Sequence, residues 1–319
     1  MIGKTILFTG LWLAACAAGA QAQFPNRTIR LVSGFAPGGA TDVVARVIAQ
    51  SITDALGQPV IVDNKPGAAG NIGADFVARA PGDGYTLYLT NATIAMPSMF
   101  PKIPFDVKKD LAPVAMIAWG PSVLAVNAKL PVRSVRELIT YAQRNPGKLD
   151  YSSGGIGSVI HLSMELFKFM AKVDINHVPY KGGAPATAAA VSGEVPVAVA
   201  GVTNTLGHIK QGSLVALAVT GRTRTRALPD VPTIAEAGVP GYEASSWYGI
   251  LVPAATPKAV IMKLDKAIRS GLQNKALREK LIEQGMDPVD MGPDEFGNFI
   301  LTEIDKWASI IDRAQIRAE

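Results

Sequence analysis

The side chains able to act as nucleophiles or metal ligands are few and thinly spread. Only three histidines occur, His161, His177 and His208. His161 and Glu165 stand four residues apart, on one face of a helix, where they can share a metal or simply pair with each other. The clustered His, Cys and Asp spacing of a metal site is missing, so no metal is expected. Ser153 or Ser158 with His161 makes a conceivable nucleophile pair, but no third group is evident to orient the imidazole. The chain lacks a G-x-S-x-G elbow and a G-x-x-x-x-G-K-[ST] phosphate loop. Gly155-Ile156-Gly157 opens a dinucleotide fingerprint, yet Ile160 stands where its third glycine belongs. No cofactor and no catalytic residue are expected.

What the sequence does contain is a set of polar, donor-rich loops. The first is Phe35-Ala36-Pro37-Gly38-Gly39-Ala40-Thr41-Asp42. Proline fixes one φ angle, and the glycines let backbone N–H groups approach a ligand. The start of the following helix adds unpaired N–H groups and the positive end of its dipole, a combination that holds carboxylates. Taken alone, this loop also fits an ordinary tight turn with Thr41 or Asp42 as N-cap. A second loop of the same kind, Ser153-Gly154-Gly155-Ile156-Gly157-Ser158, lies far along the chain and favours the ligand-binding reading. Asn91 and Thr93, Lys181, and Thr203 and Asn204 fall at further polar strand ends. Phe35, Tyr180 and Trp247 are available to cover the apolar part of a ligand. A lining this rich in neutral donors suits holding a small carboxylate more than transforming it. A side chain placed at Gly38 is expected to block the carboxylate's approach.

The elements that must position these loops alternate. Apolar runs at 29–32, 60–62 and 85–90 read as buried strands, separated by helices at 43–49 and 74–79. Strand, helix, strand is the pattern of a doubly wound, largely parallel α/β sheet, with ligands beyond the C-terminal strand ends. Residues 114–126 read as extended chain broken by Trp119-Gly120-Pro121, a crossing into a second lobe. There the pattern repeats, with strands at 149–152, 176–180, 195–202 and 215–220. A helix starts at Ser134 with Glu137 completing a capping box, and another follows the second glycine loop at 161–171. Residues 246–253 read as a strand that returns to the first lobe, and amphipathic helices at 257–272, 276–284 and 293–316 close the chain. The expected division is residues 23–121 with 249–319 in one lobe and 122–248 in the other.

Composition agrees with a folded, exported chain. Of 319 residues, 48% are hydrophobic and 18% charged, which is globular and not disordered. Met1 to Ala22 carries Lys4, an apolar stretch and small residues, the pattern of a signal peptide cut after Ala20 or Ala22. A rival reading takes Leu13-Ala14-Ala15-Cys16 as a lipobox with a lipidated cysteine. Cys16 is the only cysteine, so the mature chain forms no disulfide. The net charge of +5 is mild and spread out. Its densest run, Arg222-Thr223-Arg224-Thr225-Arg226, has no aromatic interleaving and reads as a solvated loop; no nucleic-acid partner is expected.

Several motifs together resemble one family. They are Phe35-Ala36-Pro37-Gly38-Gly39 with Asp42; Asn64-Lys65-Pro66-Gly67-Ala68 with Gly70; Pro81-Gly82-Asp83-Gly84-Tyr85-Thr86-Leu87; Ser153-Gly154 with Gly157-Ser158 and His161; Pro179-Tyr180-Lys181-Gly182; and Leu228-Pro229-Asp230-Val231-Pro232-Thr233 with Glu236-Ala237-Gly238. In this order, over essentially the whole mature chain, they are similar to the substrate-binding proteins of tripartite tricarboxylate transporters, the Bug-type receptors. The resemblance implies a type II periplasmic-binding-protein-like fold, two α/β lobes with a ligand cleft between them. It implies a monomer that captures a small organic acid and delivers it to membrane permease subunits. The ligand carboxylate would be gripped at Phe35 to Gly39 and Ser153 to Ser158, partly through ordered waters. Where the family often has an acidic residue, this chain has Thr203-Asn204, which disfavours an amino-acid ligand. The alternatives are a secreted serine hydrolase using a serine beside His161 and a ligand-sensing partner of a signalling protein.

Overall fold

The computed structural model describes residues 24–100, 102–313 and 316; the expected signal peptide and Cys16 fall outside them. Two sheets organise the chain. The first contains β1 (Ile29–Ser33), β2 (Val60–Asn64), β3 (Thr86–Asn91), β4 (Leu111–Gly120), β10 (Ser246–Pro253) and β11 (Asp287–Met291). The second contains β5 (Ser122–Asn127), β6 (Asp150–Ser153), β7 (Asn176–Pro179), β8 (Val197–Gly201) and β9 (Leu214–Val219). The helices are α1 (Ala40–Leu56), α2 (Asn71–Ala78), α3 (Val107–Asp110), α4 (Val135–Arg144), α5 (Val159–Ala171), α6 (Gly183–Ser192), α7 (Val202–Lys210), α8 (Lys258–Leu272), α9 (Lys275–Glu283) and α10 (Pro293–Arg313).

Both sheets share one plan. The first runs β2-β1-β3-β10-β4, with β11 outside β4, and the second runs β7-β6-β8-β5-β9. β1 is parallel to β2 and β3, and β6 is parallel to β7 and β8. The fourth strand of each is antiparallel to its neighbours, and it is the strand that has just crossed from the other sheet. The chain crosses at Pro121, between β4 and β5, and returns ahead of Ser246. β10 pairs with β4 from its first residue, Ser246 beside Gly120, so it joins the first sheet ahead of the expected boundary at 249.

The strands alternate between two cores, as the two-residue period requires. Leu31, Leu87, Leu89 and Ile250 pack with Val44, Ile48 and Ile52 of α1 and Leu264 and Ile268 of α8. Val32, Tyr88 and Leu251 face the other way, toward Val77 of α2 and Phe296 and Trp307 of α10. Sheets covered on both faces explain why their strands read as near-continuous apolar runs. The capping box at α4 forms, with Ser134 Oγ accepting from the Glu137 N–H; the Glu137 carboxylate reaches back to the N–H of Arg133. Two elements differ from the sequence reading. The strand expected to end at Val202 stops at Gly201, and Thr203 and Asn204 belong to the first turn of α7. β11 was not foreseen; Pro288 and two acidic residues give Asp287–Met291 a poor strand signal, and it adds only to a sheet edge. Among the described residues, no helix is long and apolar enough to cross a membrane.

Candidate ligand-binding cleft

The C-terminal ends of β1, β3, β6, β7 and β8 meet between the two sheets, and a cavity of about 120 Å³ lies there. Four helices begin on it. Ala40 and Thr41 come from α1, Val159 and Ile160 from α5, Gly183, Ala184 and Pro185 from α6, and Asn204 from α7. Three of these helices, α1, α6 and α7, have glycine at the N-cap (Gly39, Gly182 and Gly201) and no side chain bonded to their first N–H groups. Away from the cleft, α3, α4 and α9 are capped by Asp106, Ser134 and Asn274. α2 and α8 also lack side-chain caps without opening on this cavity. A glycine N-cap costs a helix only a few tenths of a kcal/mol relative to a side-chain cap, and an anion placed there supplies the missing bonds.

Hydroxyls and amides supply further donors. Asn91 Oδ1 accepts from the Thr93 N–H at 3.0 Å, while Thr93 Oγ1 is buried without a partner on the cavity wall. Ser158 caps α5 by accepting from the His161 N–H and also lines the cavity. Ser122, Ser246 and Tyr248 form the wall nearest the crossing strands. Burial pushes the Tyr248 hydroxyl up to about 12, partly offset by a hydrogen bond with Ser246, so it stays protonated and able to donate. Lys181 is the one charged residue among those lining the cavity.

Of the expected ligand-binding residues, Phe35, Ala36, Pro37, Gly39, Asn91, Thr93, Gly154, Ser158, Lys181 and Asn204 line this cavity. The others hold it in shape or lie elsewhere. Asp42 is buried and turned away from the cavity. Its carboxylate accepts from the Gly38 N–H at 3.1 Å, from Arg46 Nε at 2.9 Å and from Asn64 Nδ2 at 3.0 Å. Asn64 also donates to the Phe35 carbonyl, so Asp42 ties the first loop together. Burial raises its pKa, but the bonds from Arg46, Asn64 and Gly38 outweigh burial and hold it below the usual carboxylate range. Gly38 has φ +83°, and nothing lies within 4 Å of where its Cβ would stand. Within the protein, glycine is needed at this position for its left-handed backbone.

The second loop is built in a comparable way. Ser153 Oγ lies 2.6 Å from His177 Nε2 and accepts from the Gly155 N–H at 3.1 Å. The Gly157 N–H donates to His161 Nδ1 at 3.2 Å. His161 stacks on His177 with centroids 4.3 Å apart, and His177 stacks on Tyr151 at 4.8 Å. The Tyr151 hydroxyl donates to Glu165, which also pairs with Lys168. Burial, then the neighbouring His161, lowers the His177 pKa to about 4, partly opposed by Glu165. Ser153, Gly157 and His161 thus shape the loop from behind and do not line the cavity. The serine–histidine pair that forms is Ser153 with His177, not with His161; Ser153 is fully buried and His177 too weak a base to activate it. Among the described residues, no three His, Cys, Asp or Glu are grouped to hold a metal.

Three further expected residues lie off the cavity wall. The Tyr180 hydroxyl donates to Glu194 and lies off the cavity wall. Thr203 Oγ1 donates to the Gln284 carbonyl across the gap between the sheets. Trp247 is fully buried among Phe296 and Phe299, its indole N–H aimed at Glu303. Strand alternation explains this: Ser246 and Tyr248 face the cleft, so Trp247 must face the core. The same rule would have found Ser246 and Tyr248 in the sequence.

A two-lobed α/β frame with a donor-lined cleft between the lobes is the architecture of a solute-binding protein. The chain belongs to the tripartite tricarboxylate transporter receptor family, whose profile matches residues 44–316. It is a binding receptor and not an enzyme. It is 38% identical to Protein BugT of Bordetella pertussis over 314 residues, 97% of this chain and 96% of BugT. Among solved structures, R. palustris Rpa4515 with adipate has a TM-score of 0.88 at 37% identity, covering 92% of this chain and 99% of that one. MatC from Rhodopseudomonas palustris with bound malate has a TM-score of 0.83 at 32% identity, covering 90% of this chain and all of that one.

Proposed function

We propose that the cleft captures a small organic acid by its carboxylate in the periplasm, and that the loaded receptor delivers it to the permease subunits of a tripartite tricarboxylate-type transporter. The observation that carries this reading is the convergence of α1, α5, α6 and α7 on a cavity with no acidic lining residue. The uncapped N–H groups of α1, α6 and α7 offer donors to one anion, all four helices turn positive dipole ends toward it, and Lys181 adds the only full charge on the wall. Charge-assisted hydrogen bonds contribute roughly 1.5–3 kcal/mol each, so an uncharged isostere forfeits much of the affinity. An ammonium group would find no carboxylate among the lining residues. The acids in the two similar structures, adipate and malate, belong to the same chemical class.

Calorimetric titration with adipate, malate, adipamide and putrescine tests the site. Acids should bind while the diamide and the diamine bind at least about tenfold more weakly or not at all. Equal binding of adipate and adipamide would show that charge is not read. Delivery is tested by uptake of the bound acid in cells with and without the receptor; uptake unchanged by its deletion would remove the transport role.

A further inference from the structure

We infer that Phe100 is a positioning residue for ligand retention, which holds the second glycine loop over the cleft by seating its ring in the space left open by Gly157. Phe100 follows β3 in the first half of the chain, and Gly157 sits between β6 and α5. A Cβ built on Gly157 would lie 2.3 Å from Phe100 Cζ, 3.0 Å from Cε1 and 3.2 Å from Cε2. Real Cβ atoms do not approach a ring carbon that closely, so the ring occupies the volume of the missing side chain. Gly157 also has φ +73°. Its N–H is held by His161 Nδ1, and the next residue, Ser158, lines the cavity and caps α5. Phe100 therefore presses on the loop one residue from the ligand without lining the ligand cavity.

The contact has the property a closing element needs. It joins groups carried by different sheets, so it forms only when the two sheets come together. The ligand, gripped by donors from both sheets, favours the same state. Two conditions that favour one state reinforce each other, and removing either lowers its population. Loss of the ring should then speed ligand escape and leave capture almost unchanged, because capture begins before the sheets have closed. Other bridges include Thr203 to the Gln284 carbonyl, Val202 against Gly285, the Arg226–Asp287 ion pair and Ala40 beside Gly201. The Phe100 contact bears directly on the loop that carries Gly154 and Ser158, both on the cavity wall. Phe100 also borders a surface groove together with Met99 and Ile103.

This inference rests on the receptor reading, and the experiment separates the two. Five proteins are compared: wild type, Phe100→Ala, Phe100→Leu, Gly157→Ala and the Phe100→Ala/Gly157→Ala double variant, with adipate as the probe. Stopped-flow displacement of adipate gives dissociation rates, and urea unfolding without ligand gives stabilities. Phe100→Ala should dissociate roughly tenfold faster with association nearly unchanged, and Phe100→Leu should recover most of the loss. Gly157→Ala should be costly beside the phenylalanine ring and much milder in the Phe100→Ala background, because only the backbone strain then remains. Coupling in either measurement supports the contact. Additive effects in both, or slower association with unchanged dissociation, would overturn it. If wild type binds no acid, the receptor reading fails, while the unfolding cycle still decides whether Phe100 and Gly157 meet.

Discussion

The Ser153 hydroxyl lies 2.6 Å from His177 Nε2 and accepts from the Gly155 N–H, so a buried imidazole sets the shape of a ligand-facing loop. The same hydroxyl also reaches the Gly155 carbonyl, and which partner donates between it and His177 Nε2 is set by the tautomer of the imidazole. Burial and the stacked His161 keep it neutral, with the pKa lowered to about 4.

A pH dependence follows from that depression. The unfolded chain binds a proton at its ordinary pKa, about 6.5, while the folded chain resists until about 4. The contribution is fully present above the unfolded value and is lost as pH falls from there to the folded one. Urea unfolding of wild type should therefore weaken between about pH 6.5 and 4. His177→Gln, which keeps an acceptor for Ser153 but cannot titrate, should show a shallower decline. Parallel curves for the two proteins would remove His177 from the account.

Asp42 offers a second test. It is 3% exposed and receives bonds from Gly38, Arg46 and Asn64. Asp42→Ala leaves those donors without a partner and should cost roughly 2–3 kcal/mol of stability. Adipate affinity should fall as well, since the loop that presents Gly39 and Ala40 loses its tie. Because the folded pKa is depressed, the stabilisation is present above the ordinary carboxylate range and disappears as pH drops through it. An alanine variant as stable as wild type at pH 7 would contradict this role.

At Gly38 the expected cost is conformational. With open space around the absent Cβ and φ at +83°, Gly38→Ala and Gly38→Val should both lose about 1–2 kcal/mol of stability. The two variants should bind adipate alike. A loss of affinity confined to the larger side chain would restore the steric block.

Lys181 is exposed, yet it carries the only charge on the cavity wall. Lys181→Gln should weaken acid binding by roughly tenfold and flatten its dependence on salt, because exposed charges are screened. Calorimetry at low and at high ionic strength checks both effects; an unaltered salt slope would assign the charge reading to the helix ends alone.

Much of the frame was readable from local signals. Glycines and prolines punctuate apolar runs, and several such loops after a strand become walls of the cleft, as at Phe35 to Pro37 with Gly39 and at Gly154. What escaped depends on which side of an element a residue takes. Trp247 was drawn to the cleft by its chemistry, but one step along β10 reverses its direction. Thr203 and Tyr180 are polar and sit near the right strand ends, yet their hydroxyls are used by Gln284 and Glu194, partners that are distant in sequence. Ser153 and His161 sit behind the cavity wall because their contacts with His177 join residues from three separate elements.

The exchange of β5 and β10 between the sheets has a consequence for the order of events during synthesis. Residues 122–219 carry every strand of the second sheet in one uninterrupted segment. The first sheet has a gap between β3 and β4 until β10 is made, more than a hundred residues later. Long-range pairing of this kind is slow, because the loop must close before any contact rewards it. The middle of the chain can thus finish folding before its beginning.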